Sequence, residues 1–139
     1  MKVTRIAYCK RLNSQKLLQL QTFAKRLGQI RSEVWQRFGS VNGVGKKDRK
    51  IRDQWLKEGR KFDVSANSWK ETLRDALADI HANRESAKVK ARRAVSRHTD
   101  ENQEQKRLFG LLKSDKWTND PYLETYYAKS LSSRSQSHP

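Results

Sequence analysis

The sequence predicts a mainly α protein: a small helical bundle around one long helix, with a single N-terminal β-strand. Three observations predict this. Residues 68–95 run without proline or glycine and are dominated by Ala, Leu, Lys, Arg and Glu, all good helix formers. At about 100° per residue, Trp69, Leu73, Ala76, Leu77, Ile80, Ala87, Ala91, Ala94 and Val95 fall on one stripe roughly 100–120° wide, which gives that helix a core-facing side. Shorter apolar stretches with helical spacing flank it, whereas only residues 2–12 carry a strand-like pattern.

In residues 2–12, Val3, Thr4, Ile6 and Tyr8 favour a pleated strand, although Arg5 and Ala7 share a face with Val3 and Cys9. No second strand follows to pair with it, and unpaired backbone groups are costly when buried. Asn13 or Ser14 caps the next helix, which runs to Phe38 and stops at Gly39. Its stripe is Leu17, Leu20, Phe23, Ala24, Leu27, Ile30, Val34 and Phe38. Arg31 falls inside this stripe and Arg84 inside that of the long helix; such an arginine either snorkels to the core edge or meets a partner.

Residues 40–45 form a turn-rich loop. A phosphate-binding Walker loop needs Gly-Lys-Ser/Thr opening a helix after a strand. Here Gly45-Lys46-Lys47 follows a helix, which excludes that reading. A short basic helix over 46–58 has two strong anchors, Ile51 and Trp55, and ends at Gly59. The long helix starts at Ser68, where Ser68 and Glu71 form a capping box. Thr99 or Asp100 caps a further helix through Lys113, anchored by Leu108, Leu111 and Leu112. Asn119 or Asp120, with Pro121, opens a last helical turn carrying Tyr122, Leu123, Tyr126 and Tyr127. The Ser-rich end, 128–139, reads as a disordered tail.

Charge decides which functions are open. The 139 residues carry a net charge of +16, with 35% hydrophobic residues, enough for one domain with a thin core. Residues 1–98 hold 25 Lys and Arg against 9 acids, while residues 99–139 hold 6 against 6. Such an excess points to a polyanionic partner. A lone cysteine, Cys9, excludes an internal disulfide and a Cys-based zinc finger, and three scattered histidines outline no metal site. No apolar run reaches signal or membrane length, so a cytoplasmic location without a membrane partner is expected.

No catalytic constellation, cofactor motif or small-molecule site is legible, so the chain reads as a non-enzyme. Asp75 and Asp79 stand one turn apart but among basic residues, where helix-surface charge pairing explains them. The basic residues are better placed for nucleic acid. Lys46, Lys47, Arg49, Lys50 and Arg52 crowd the short helix. On the long helix Lys70, Arg74, His81, Lys88 and Arg92 line one flank, with Glu71, Asp75, Asp79 and Glu85 towards the back. Past Ala87 that helix holds only Lys88, Lys90, Arg92, Arg93 and Arg97 as charged residues. These cations, with Arg84, are the candidate phosphate contacts. Trp35, Phe38, Trp55, Phe62 and Trp69 lie among them and offer faces for stacking on unpaired bases. Trp69 reads as a core anchor; for Trp35 and Trp55 both roles stay open.

The chain also resembles the N-terminal part of the TnpB-type RNA-guided nucleases of bacterial transposons, relatives of miniature type V CRISPR effectors. It looks closest to cyanobacterial members described as transposases. The resemblance is carried by the strand into Lys10-Arg11-Leu12-Asn13, the helix with Gln15, the run from Leu27-Gly28-Gln29-Ile30 through Arg31-Ser32-Glu33-Val34-Trp35, and Ser68-Trp69-Lys70-Glu71-Thr72-Leu73-Arg74-Asp75-Ala76 through Ile80. It implies that residues 1–12 are the first strand of a wedge-like barrel and residues 13–127 a helical recognition lobe. It further implies a partner in guide RNA or target DNA, and a metal-dependent nuclease core that these residues do not include. A truncated product without catalysis is the resulting expectation.

Overall fold

A computed structural model describes residues 4, 6–8 and 10–135. Five α-helices follow one another: α1 (Ser14–Phe38), α2 (Asp48–Lys57), α3 (Ala66–His98), α4 (Asn102–Lys113) and α5 (Pro121–Ser135). Short 3₁₀ turns occupy Val41–Gly43 and Asp115–Asn119. The protein is thus a small bundle arranged around one long helix. The expected strand over 2–12 falls partly outside the described residues. Those described within it take no regular structure, and no second strand lies among the described residues to pair with them.

Local chemistry sets the helix ends. Asn13 Oδ1 accepts the Lys16 N–H at 2.8 Å and starts α1, and the Gly39 N–H donates to the Trp35 carbonyl at its end. α3 begins a turn earlier than the Ser68–Glu71 box predicts. Ser65 is the cap: its hydroxyl accepts the Ser68 N–H at 3.2 Å and lies 2.7 Å from the Ser68 hydroxyl. Ser68 therefore occupies the third helical position, and Glu71 is left exposed in the next turn. Thr99 is not the cap of α4 but the extended residue that ends α3, and α4 starts after Glu101. Asp120 Oδ1 accepts the N–H groups of Tyr122 and Leu123 and starts α5 at Pro121. The α5 backbone continues to Ser135, past residue 128 where the tail was expected, because neither glycine nor proline interrupts 122–135.

Two hydrophobic clusters share α3. In the first, Ile30 and Val34 of α1, Ile51 and Trp55 of α2, and Trp69, Leu73, Ala76 and Ile80 of α3 pack together. Its aromatic part is a run of rings, Trp55, Phe62 and Trp69, with centroids 4.8–6.1 Å apart. The Arg60 guanidinium lies 4.5 Å from the Trp55 ring and donates to Glu33 at 2.8 Å. In the second cluster, Ala87, Ala91 and Val95 of α3 meet Leu108, Leu112, Trp117, Leu123 and Tyr127.

α1 and α3 run in the same direction. Arg26 reaches the Asp63 carbonyl, Arg31 grips Asp75 and Asp79, and the carbonyls of Phe38 and Ser40 meet Arg84. The Asp75–Asp79 pair is therefore met by Arg31 of the neighbouring helix, whose guanidinium reaches these carboxylates at the partly exposed edge of the cluster.

Candidate nucleic-acid interface

The apolar contacts of α2 and α3 decide which way their cations point. α2 turns Ile51 and Trp55 inward, which leaves Lys46, Lys47, Arg49 and Lys50 exposed before and along its first turn. Arg52 is half-buried and lies 3.4 Å from Asp53. Along α3, Lys70 is half-buried with its ammonium 5.7 Å from the Trp69 ring, and Arg74 is exposed. Lys90, Arg92, Arg93 and Arg97 are all exposed. Among the described residues, none of Lys46, Lys47, Arg49, Lys50, Lys90, Arg92, Arg93 and Arg97 makes an ion pair.

Two predicted contacts are engaged inside the fold instead. Arg84 donates to the carbonyls of Phe38 (2.7 Å), Ser40 (2.8 Å) and Gly43 (3.4 Å) and to the Tyr127 hydroxyl (3.2 Å). The Tyr127 hydroxyl in turn donates to the Gly39 carbonyl at 2.8 Å. These carbonyls are the end of α1 and its following turn, groups that need donors once buried. Arg84 is thus a structural staple, not a surface phosphate contact. Lys88 sits 3.3 Å from Glu85 and 3.7 Å from Asp115, with its side chain only 15% exposed. No periodicity argument could see the carbonyls that meet Arg84 or the Asp115 carboxylate that meets Lys88, because these groups come from distant segments.

The fold does bring Lys46 and Lys47 to the middle of α3. A cleft of about 240 Å³ opens between the turn before α2, the middle of α3 and the second 3₁₀ turn. Leu77, Val44 and Trp117 supply its apolar lining, and Lys46, Lys47, Arg84 and Lys88 its cationic lining, with His81 beside them and Glu85 and Asp115 opposed. Arg49, Lys50, Lys90, Arg92, Arg93 and Arg97 lie outside this lining. At 100° per residue Arg92 shares the flank of Lys70, Arg74 and Lys88, whereas Lys90, Arg93 and Arg97 lie around the other side. The predicted cations therefore leave two free groups, one at the start of α2 and one on the last turns of α3, with Arg74 exposed apart from both.

The aromatic residues answer the question the sequence leaves open. Trp55 and Trp69 are 2% and 5% exposed, and Trp35, Phe38 and Phe62 pack against the same cluster, so Trp55 and Trp69 offer no open ring face to a base. Carboxylates of the fold are held by arginines. The Arg60 hydrogen bond holds the Glu33 carboxyl below its ordinary pKa despite partial burial. Arg107, bonded to Glu104 and Asp120, has its own pKa raised by them. Burial pushes the Tyr122 hydroxyl up to about 12, aided by the Tyr126 hydroxyl.

Among the described residues no group of three or more His, Cys, Asp and Glu is placed to hold a metal ion. None of their helices is long and apolar enough to cross a membrane. Fold and surface together define a small, strongly basic helical bundle. Compared with protein-family models, with curated proteins and with solved structures, the chain finds no match in any of the three.

Proposed function

We propose that this chain binds nucleic acid through its two free cationic groups, with Lys46, Lys47, Arg49 and Lys50 as one and Lys90, Arg92, Arg93 and Arg97 as the other. One observation carries the reading. These cations make no ion pair among the described residues, while many acids of the fold are engaged by other arginines, Glu33 by Arg37 and Arg60, Asp75 and Asp79 by Arg31, and Glu104 and Asp120 by Arg107; Asp48 is the acid that stands inside the first group. Exposed, uncompensated cations attract a phosphate backbone and release its counterions. Buried aromatics argue for backbone contact over stacking on bases. The resemblance to TnpB-type nucleases narrows the proposal to the recognition part of a transposon-encoded RNA-guided endonuclease, which holds a guide–target duplex and carries no catalysis itself.

The binding reading is tested by titrating the purified chain with RNA and with DNA duplexes at several salt concentrations. Affinity falls steeply with salt, by about 0.7–0.9 counterions for each phosphate neutralised. An affinity that stays flat sinks it. The RNA-guided reading is tested separately by translating the DNA downstream of codon 139 in all three frames. It requires barrel strands and a carboxylate-bearing nuclease core there, and an unrelated gene following directly would refute it.

A further inference from the structure

The apolar stripe of α1 is used by the bundle for only half its length. Ile30 and Val34 are buried, and Leu27 and Phe38 pack against them. Towards the N-terminus the same stripe stays open: Phe23, Leu17 and Leu20 are 39%, 45% and 55% exposed. The change occurs where the Arg26 guanidinium donates to the Asp63 carbonyl at 3.0 Å, just before α3 begins. Beyond that point α1 projects past the bundle, and residues 14–25 extend roughly 18 Å at 1.5 Å per residue. Of the described residues before α1, Ile6 and Tyr8 are themselves 75% and 82% exposed.

We propose that this open seam receives an amphipathic helix with an acidic rim from a partner protein. Two observations select that occupant. The first is charge. No Asp or Glu precedes Glu33, so the segment that carries the stripe holds Lys16, Lys25 and Arg26 with no acid of its own, and at 100° per residue Lys16 stands on the stripe beside Leu20. A second copy of the chain docking symmetrically would set this cationic segment against itself. The second is shape. Leu20 and Phe23 face the same side as Ile30 and Val34, the side on which α2 and α3 stand, so α1 and the bundle form a step. A flat bilayer cannot reach the inner corner of a step, whereas a helix laid along α1 fits it as an end-to-end continuation of α3. The proposal does not rest on the nucleic-acid reading, because its residues lie outside both free cationic groups.

The probe is a fluorescein-labelled synthetic helix of roughly five turns with a leucine face and a glutamate rim. Its competitor is a scrambled peptide of equal composition that spreads the leucines around the helix. Fluorescence anisotropy with the full chain is expected to show binding to the first and at least about tenfold weaker binding to the second. Leu20→Gln with Phe23→Gln lowers affinity for the first by about tenfold, and Lys16→Gln by about threefold. Both variants keep their circular-dichroism melts, because the side chains are already open to water. Leu17→Gln, further from the buried cluster, gives an independent loss if the double variant melts early. Equal binding of the scrambled peptide overturns the proposal, as does an unchanged affinity of the Leu20/Phe23 variant. So does attachment to phosphatidylserine vesicles, or dimerisation in sedimentation, that depends on Leu20 and Phe23 while the peptide fails to bind.

Discussion

On one side of Arg84, α3 contributes bulk; on the other it contributes closeness. Trp69, Leu73 and Ile80 fill the first cluster from α3 itself. In the second, α3 offers Ala87, Ala91 and Val95, and the volume comes from Trp117, Leu123 and Tyr127 on the other side. Small residues on one helix let neighbouring segments approach, and a large side chain from the partner then fills the gap. The two clusters meet at a polar joint, where Arg84 ties the end of α1 to Tyr127 of α5. One helix thus serves two cores that draw their bulk from opposite partners.

Four substitutions break or sharpen this comparison. The largest effect belongs to Trp117→Ala, which removes the main filling side chain of the second cluster, itself 1% exposed. A loss of about 3–5 kcal/mol is expected. Hydrogen exchange should show α4 and α5 losing protection while α1 and α2 keep theirs. Uniform loss along the chain would mean that the two cores unfold as one.

Arg84→Met comes next. It preserves the stem but strips donors from the Phe38 and Ser40 carbonyls, at a cost of about 2–3 kcal/mol in urea unfolding. An unchanged midpoint would make the joint ornamental.

Ala91→Leu then tests closeness directly. Ala91 is fully buried, so added volume pushes α4 and α5 away for about 1–3 kcal/mol, read as a lowered melting temperature.

The smallest effect is acid dependence. Burial alone would raise the Asp120 carboxyl, but the Leu123 N–H, the Arg107 guanidinium and the Tyr122 N–H together hold it below its ordinary value. A carboxyl with a lowered folded pKa binds protons less readily than in the unfolded chain. Its contribution is complete above the unfolded value, about 3.9, and is lost as pH falls through the folded one. Glu33 does the same for the first cluster through Arg60. Asp120→Asn should therefore flatten the acid limb of stability only in the second half, measured by exchange at α5.

Much of this architecture is legible in the sequence, for identifiable reasons. The stripe of α3, the Asn13 cap, and the Asp120-Pro121 start are local signals, and the fold keeps all three. Trp117 escaped because it sits in a 3₁₀ turn, where no periodic pattern marks a core residue. Arg84 reads as a surface cation because its carbonyl partners lie far along the chain, and Lys88 because Asp115, which meets it together with the neighbouring Glu85, comes from the second 3₁₀ turn. Leu17, Leu20 and Phe23 were equally opaque: periodicity reports which residues could be buried together, not whether anything covers them.

The same contrast between engaged and free charge is the centre of the functional reading, and one measurement tests it most directly. Replace Arg92, Arg93 and Arg97 with glutamine, and compare the dependence of nucleic-acid affinity on salt with that of the parent chain. These side chains are exposed and make no ion pair among the described residues, so folding should be untouched, glutamine being a comparable helix former. The slope of log affinity against log salt should shrink by about one to three units. A triple variant that binds as tightly, with the same slope, would show that the last turns of α3 only support the fold.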